Sequence, residues 1–357
     1  MSTLETNNIS KYSGNNVSID DSLKLKNVTT TQRDALSSPE AGDTVYNSTT
    51  GTFKTISAGG APIGAWASGA DTNQEAGQRS CASRSTPSAA FVSGGFDMVS
   101  PPPPSSLANA ETYNGSAWSE GPDQPGTARI GAAWGTTTSF VTAGGSVGTS
   151  GAPINPYAFE YNGSSFSNGG QLNNARRNAA GAGVSESSGR VMAGGDNPGP
   201  AQDFNESYNG TAFSEETEIN TARIRPVGFG TEDSAIIASG GDGTNVESWN
   251  GSAWTEVSEV LVALSASSGG GGTTTSGLVF TRNAADSTVM TTQFWNGSSF
   301  TEVSELNVNR YGNAGGGPSG QVCISCGGYA PPSGSSIAKS TEEWTAADFA
   351  TKTVTTS

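Results

Sequence analysis

The chain has 357 residues, of which 49 are glycine, 33% are apolar and only 14% are charged, with 17 Lys and Arg against 32 Asp and Glu. So few large aliphatic residues exclude a helical or α/β core and favour a protein of many short strands and tight turns. The net charge of −15 disfavours nucleic-acid binding, and the absence of histidine removes the commonest general base and metal ligand. No apolar run reaches membrane-spanning length, and the N-terminus lacks the features of a secretory signal.

Residues 1–60 differ in composition from the rest of the chain, and we expect them to form a separate N-terminal arm. They are polar and lack the repeated pattern that dominates residues 61–357. The elements predicted in the arm are a strand at 23–26, a helical turn at 31–36, a strand at 44–46, a turn at 47–51, a strand at 52–54 and a linker at 57–61.

A six-residue pattern then recurs, with the order aromatic, Asn, Gly, Ser or Thr, any residue, aromatic. Its Asn residues are separated by 48, 47, 41 and 46 positions, and a sixth copy without Asn-Gly follows 49 positions later. A fixed period in this range is typical of repeat architectures. The copies are Tyr113–Trp118, Tyr161–Phe166, Tyr208–Phe213, Trp249–Trp254, Trp295–Phe300 and Trp344–Phe349.

The Asn-Gly pair predicts a hairpin with a two-residue type I′ turn, in which both turn residues have positive φ. In the first copy Glu111 would then face Trp118, so that Tyr113 and Trp118 would be diagonal neighbours on one face of the sheet. Each repeat would present two aromatic rings to the element packed against it. The pattern therefore predicts aromatic packing between neighbouring repeats.

Two further features precede the aromatic pattern in most repeats: an arginine and, 15 to 18 residues later, a Gly-Gly pair. The fifth repeat has Leu264 in place of the arginine and Thr281-Arg282 in place of the glycines. The arginines are Arg79, Arg129, Arg176, Arg223 and Arg310, and the glycine pairs stand at 94–95, 144–145, 194–195, 240–241 and 327–328.

Each repeat is interpreted as a four-stranded antiparallel meander. In the second repeat we predict strand a at 130–135, strand b at 139–143, strand c at 158–161 and strand d at 164–167. Six such units predict an all-β fold, a six-bladed β-propeller. A d-type strand around Trp66 precedes the first unit, as expected if the N-terminal strand closes the ring, although the segment at Phe349 competes for the same place.

The order of Arg, Gly-Gly and two aromatics resembles the kelch repeat, and the resemblance covers about four-fifths of the chain. The repeated sequence Asn-Gly-Ser-x-Trp-Thr-Glu-Val is similar to repeats of kelch-like virion proteins of marine and cyanobacterial tailed phages. Residues 25–51 also look like a segment common in phage tail-fibre and appendage proteins.

These resemblances imply a virion protein, made in the host cytoplasm, whose arm docks to other virion proteins or to neighbouring copies in a homo-oligomer. The propeller would be an exposed appendage or decoration that binds a glycan or protein of the host surface. The alternative is a purely architectural tail or capsid component that uses the propeller as a protein–protein platform. We expect no cofactor, no metal and no enzymatic activity, paired carboxylates being the one catalytic arrangement that the sequence leaves open.

The repeated residues have structural interpretations. The glycine pairs would let blades approach closely, and the arginines would donate hydrogen bonds to carbonyl groups. Trp118, Phe166, Phe213, Trp254 and Phe300 would pack between blades. Three cysteines predict neither a disulfide framework nor a zinc site.

The connections between strands b and c vary most in length, and all of them are expected on one face together with the connections from d to the next a. Variable loops on a rigid scaffold often carry function. We therefore predict a binding face there, although tolerated insertions would produce the same variation. Its candidate residues are Tyr157, Asp196, Asp242 and Tyr329.

Overall fold

The structure is a computed structural model of the whole chain. The residues it describes are 10–12, 16–18, 27–28, 44–47, 52–56, 63–97, 105–148, 153–192, 200–241, 243–264, 269–282, 290–330, 336–347 and 351–354. These residues form strands and turns without any helix, so no described helix is long and apolar enough to cross a membrane. They belong to two compact units, residues 1–61 with 349–357, and residues 62–348.

The first unit contains a small sheet in the order β3-β4-β5-β34, together with the hairpin β1-β2. The predicted strands at 44–46 and 52–54 are confirmed, while the other elements predicted in the arm lie outside the described residues. The C-terminal strand pairs with β5 and so belongs to this unit rather than to the propeller. The strands are β1 Ser10–Tyr12, β2 Asn16–Ser18, β3 Asn27–Val28, β4 Thr44–Asn47, β5 Thr52–Ile56 and β34 Thr351–Val354.

The second unit consists of six four-stranded antiparallel sheets, the blades, numbered in chain order. Blades 1 to 3 comprise, from strand a to strand d, β7 Ser80–Cys81, β8 Ala90–Ser93, β11 Ala110–Tyr113 and β12 Trp118–Glu120; β13 Ala132–Gly135, β14 Phe140–Ala143, β15 Tyr157–Tyr161 and β16 Phe166–Gln171; β17 Ala180–Ser185, β18 Ser188–Met192, β19 Asn205–Tyr208 and β20 Phe213–Glu215.

Blades 4 to 6 continue in the same order. They comprise β21 Val227–Gly230, β22 Ala235–Ala238, β23 Val246–Trp249 and β24 Trp254–Val257; β25 Gly269–Thr273, β26 Ser276–Arg282, β27 Met290–Trp295 and β28 Phe300–Glu302; β29 Ala314–Ser319, β30 Val322–Cys326, β33 Thr341–Ala347 and β6 Ile63–Ser68. Two short pairs lie in b–c connections, β9 Phe96–Asp97 with β10 Ser105–Ser106 and β31 Tyr329–Ala330 with β32 Ser336–Ile337.

The blades form a closed ring, because the innermost strands contact one another in the order β7, β13, β17, β21, β25, β29 and back to β7. The predicted six-bladed β-propeller is therefore confirmed. Closure comes from the N-terminal strand, since β6 forms the outer strand of blade 6 with Trp66 directly opposite Trp344. Phe349, the competing candidate, lies outside the described residues.

The strands predicted in the second repeat agree with blade 2 to within two residues for a, b and c. Strand d begins and ends later than predicted, at Phe166–Gln171 instead of 164–167.

The prediction of a two-residue turn in the recurring six-residue aromatic pattern, called the cassette from here on, was wrong. Tyr113 lies directly opposite Trp118, and the N–H of Asn114 donates to the carbonyl of Ala117 at 3.2 Å, so the turn has four residues. The Asn114 side-chain oxygen accepts two backbone N–H groups within the turn, both at 2.9 Å, and only Gly115 has positive φ, at 91°. Asparagine closes the turn as a side-chain acceptor here, without adopting the left-handed conformation.

The two aromatic rings of each of the first five cassettes therefore lie side by side on one face, and in the first copy their centroids are 4.9 Å apart. These rings pack against the preceding blade and are buried there. Trp249 and Trp254 of blade 4, for example, pack with Ala180 and Met192 of blade 3. The predicted packing between blades is confirmed in the same way for blades 1, 2, 3 and 5.

A series of backbone hydrogen bonds joins neighbouring blades at the start of their inner strands. Among the described residues, one residue in each of five connections adopts the left-handed conformation, and in four of these its N–H donates to the carbonyl of its counterpart in the preceding blade. These residues are Gln78, Ile130, Asn178, Arg225 and Gly312, with φ between 52° and 63°. The donor-to-acceptor distances are 2.7 Å from Gln78 to Gly312, 3.1 Å from Ile130 to Gln78, 2.8 Å from Asn178 to Ile130 and 3.0 Å from Arg225 to Asn178.

The glycine pairs support the same contact between blades. Gly144 has φ of 73°, and a Cβ atom there would lie 2.5 Å from the carbonyl oxygen of Arg176 in the next blade. The N–H of Gly145 donates to that oxygen at 2.9 Å. The predicted close approach is confirmed, and the left-handed backbone gives a second reason for glycine. The pair at 194–195 lies outside the described residues.

Candidate functional site

The b–c connections and the d–a connections meet on one face of the propeller, as predicted. In blade 2 Arg129 and Ser146 exchange two backbone hydrogen bonds, at 3.1 and 3.0 Å. Gly77 and Phe96 form the equivalent bridge in blade 1, and Tyr311 pairs with Tyr329 in blade 6. We refer to this side of the ring as the loop face.

Beneath the loop face, four blades contain a buried cluster of Asn, Arg and Glu. In blade 4 the Glu247 carboxylate accepts hydrogen bonds from the Arg223 guanidinium, from the Asn220 side chain at 2.8 Å and from the backbone of Asn220 and Thr221 at 2.7 and 3.1 Å. Burial lowers the pKa of Arg223, because its charged form loses hydration, and Glu247 partly offsets that effect. The ion pairs of the four clusters are Arg79–Glu111, Arg176–Glu206, Arg223–Glu247 and Arg310–Glu342.

These arginines also donate to carbonyl groups, as predicted; Arg223, for example, reaches the carbonyl of Asn245 at 2.8 Å. The sequence interpretation missed their glutamate partners. A signal was present, since a glutamate stands two residues before the first aromatic of the cassette in four repeats.

Arg129 does not belong to this set, which corrects the assignment made from the sequence. Counted from the left-handed residue of each connection, Arg176, Arg223 and Arg310 stand two positions earlier. Arg79 instead follows Gln78 by one position but still pairs with Glu111. Arg129 directly precedes Ile130 and has no such ion pair among the described contacts. The equivalent position in blade 2 is Ala128. The spacing to the Gly-Gly pair assigned Arg129 to the series, because Arg129 lies only one residue away from the equivalent position.

Blade 2 replaces all three members of the cluster by apolar residues. Pro125 stands where other blades have asparagine, Ala128 replaces arginine, and Phe159 replaces glutamate. Blade 5 also departs, but it keeps a polar contact, because Gln293 accepts from the Leu261 backbone at 2.6 Å and donates to the Val262 carbonyl at 3.0 Å. Departures from a repeated structural pattern are expected at functional positions, and blade 2 is the strongest departure in this ring.

A groove lies at this position in blade 2, with a volume of about 800 Å³. Phe159, Pro125 and Pro156 contribute apolar surface, and Tyr157 has 49% of its surface exposed. The exposed amides of Asn168 and Gln171 stand on its other wall. None of the described residues that line the groove is charged, although the protein has a net charge of −15.

A β-bulge positions the polar wall of the groove. Tyr157 is opposite Gln171 and Phe159 is opposite Asn168, so strand d has one residue more than strand c between the two pairs. The extra residue falls at Gly169-Gly170. Bulges redirect side chains and occur often beside functional sites.

The other candidate residues of the loop face have different positions. Tyr329 is only 2% exposed, and its ring lies 5.4 Å from that of Tyr311, so it is not part of the accessible surface. Asp196 and Asp242 lie outside the described residues. Tyr157 is thus the predicted residue that the structure places at an exposed groove.

The three cysteines are buried free thiols. Cys81 and Cys326 share the apolar cluster at the seam between blades 1 and 6. Burial raises the pKa of Cys81 from 9.0 to about 12. Among the described residues, no group of three or more His, Cys, Asp or Glu side chains could hold a metal ion.

Comparison with known proteins adds no assignment: no family model matches the chain, and no curated protein matches it at a significant level. The groove must therefore be interpreted from its own chemistry.

Proposed function

We propose that this protein is a non-enzymatic bacteriophage virion protein whose propeller binds an uncharged saccharide of the host surface in the groove of blade 2. The observation that supports this most directly is the groove itself, where an exposed tyrosine faces two amides in the blade whose polar cluster is replaced entirely by apolar residues.

The groove has the chemistry that a neutral sugar requires. The C–H face of a pyranose ring packs on an aromatic face, where the partly positive hydrogens meet the negative π surface, and Tyr157 offers such a face. The amides of Asn168 and Gln171 can each donate and accept hydrogen bonds to sugar hydroxyl groups. A volume of about 800 Å³ accommodates several sugar rings.

The lack of charge in the groove favours an uncharged ligand. In the described part of the chain no arginine or lysine lines it to pair with a carboxylate or sulfate, and the net charge of −15 repels anions at long range. We therefore expect selectivity for neutral over acidic saccharides.

The virion assignment rests on the resemblances of the repeats and of residues 25–51 to phage virion proteins. In this proposal the N-terminal arm attaches the protein to the particle, and the propeller is presented outward.

The test is a glycan array probed with the full chain and with Tyr157→Ala, followed by titration calorimetry on the best neutral ligand. Leu261→Ala is the matched control, because Leu261 is an apolar residue 56% exposed in a different blade. We expect Tyr157→Ala to lose on the order of 10-fold or more in affinity, and Leu261→Ala to bind like the parent protein.

Equal binding by Tyr157→Ala and the parent protein would exclude the groove. Retention of the chain on purified particles without any saccharide binding would favour the architectural role instead.

A further inference from the structure

A second polar site lies on the loop face, at the junction of blades 1, 2 and 6, and it does not depend on the proposed function. Its centre is Arg129, the arginine that is out of register with the buried clusters. The Arg129 side chain is 8% exposed, and its guanidinium carbon lies 3.9 Å from the ring centroid of Phe96 in blade 1.

Arg129 is unlike the four clustered arginines because it has no carboxylate partner among the described residues. Its one side-chain hydrogen bond to another described residue is a long one, 3.5 Å, to the amide oxygen of Gln78. Its Nε has no hydrogen-bond partner in the described part of the chain. A buried guanidinium without a counter-charge is strongly unfavourable, so it calls for an anion.

Tyr329 supplies a second buried donor at the same junction. Its ring packs on the backbone of Gly77 and Gly312, which lie on either side of Gln78. Its hydroxyl is buried and has no hydrogen-bond partner among the described residues. Tyr329 is also close enough to Arg129 for the two groups to interact electrostatically.

Charged groups of both signs surround the junction. Arg177 of blade 3 lies near Arg129, and its guanidinium donates to the Ser146 hydroxyl at 3.2 Å. Asp97, which lies near Tyr329, accepts a hydrogen bond from the Gln74 amide at 3.4 Å.

We propose that Arg129 and Tyr329 bind a small oxyanion at this junction, with the guanidinium supplying the charge and both groups donating hydrogen bonds. Carboxylate, phosphate and sulfate share the required chemistry. The two donors belong to different blades, so the bound anion would also join blade 6 to blade 2 across blade 1.

The test is titration calorimetry of the full chain with sodium sulfate, sodium phosphate and sodium acetate, at constant ionic strength in chloride. We expect saturable binding of at least one of these anions by the parent protein. Arg129→Gln should abolish it, and Tyr329→Phe should weaken it on the order of 10-fold, because a hydrogen bond to a charged group is lost. The preferred anion identifies the class of the natural ligand.

Arg225→Gln is the control, since Arg225 is an exposed arginine of another blade, and it should leave the affinity unchanged. Absence of saturable binding in the parent protein would overturn the proposal, as would equal binding by Arg129→Gln. If Arg129→Gln does not fold, Tyr329→Phe decides the question, because it removes one hydroxyl and preserves the ring.

Discussion

The buried ion pair of blade 4 gives a quantitative prediction, because blade 5 shows how the same position is built without charge. The Arg223 and Glu247 side chains are 3% and 0% exposed. Arg223→Leu would leave a buried carboxylate with only N–H donors around it, and Glu247→Gln would leave a buried guanidinium without its counter-charge. Each single change should cost about 3–5 kcal/mol of unfolding free energy.

The double variant Arg223→Leu/Glu247→Gln copies blade 5, where Leu264 and Gln293 are 1% and 0% exposed. We expect the two changes to be non-additive, with a coupling energy of about 2–3 kcal/mol, so that the double variant is destabilised by less than the sum of the two single changes. The assay is equilibrium unfolding in urea followed by tryptophan fluorescence, with a check that all variants share one m-value.

Arg225→Leu, at an exposed arginine, should change stability by less than about 0.5 kcal/mol. Additive effects of the two single changes, within about 0.5 kcal/mol, would refute the assignment of the cluster as a coupled unit.

Three further predictions concern the backbone, the thiols and the groove. Gly144→Ala should destabilise the propeller by more than about 2 kcal/mol, since its Cβ would lie 2.5 Å from the Arg176 carbonyl. Gly241→Ala, at φ of 59° with no atom within 4 Å, should cost only about 1–2 kcal/mol. Urea unfolding measures both, and equal effects would argue against the contact between blades. The folded state raises the pKa of Cys81 from 9.0 to about 12, so the stability linked to this thiol is fully present below pH 9 and is lost as the pH rises towards 12. Unfolding in urea at pH 8 and pH 11 measures this loss of stability, with Cys81→Ser as the control. Identical pH dependence of the two proteins would contradict the burial of this thiol. Phe159→Glu should replace an apolar residue of the groove by a carboxylate in a blade that has Ala128 in place of the arginine, so both saccharide affinity and stability should fall. Calorimetry measures the first and thermal unfolding the second. Unchanged affinity in the folded variant would place the ligand elsewhere.

The sequence predicted the fold well because the repeat is itself a physical signal. Six copies at a similar period fix the number of blades, and a d-type strand around Trp66 ahead of the first unit predicts closure by the N-terminus. The turn was mispredicted because Asn-Gly is compatible with two geometries, and the hydrogen bonds of the Asn114 side chain that decide between them are visible only in the structure.

The candidate site was predicted only in part. Tyr157 was identified from loop length, and the structure places it at the groove. The importance of Phe159 was missed, although it stands two residues before the first aromatic of its cassette, as the four glutamates do. The importance of Pro125 was missed because it depends on alignment of the blades by the left-handed residue, which no sequence pattern marks. The same misalignment made Arg129 look like a structural repeat residue.

The measurement that tests the account most directly is calorimetric titration of the full chain and of Tyr157→Ala with neutral and acidic saccharides selected on an array. We predict that a neutral saccharide binds the parent protein, that acidic analogues bind more weakly, and that Tyr157→Ala loses most of the affinity. Binding that prefers acidic saccharides, or that is indifferent to Tyr157, would contradict the assignment of the blade 2 groove.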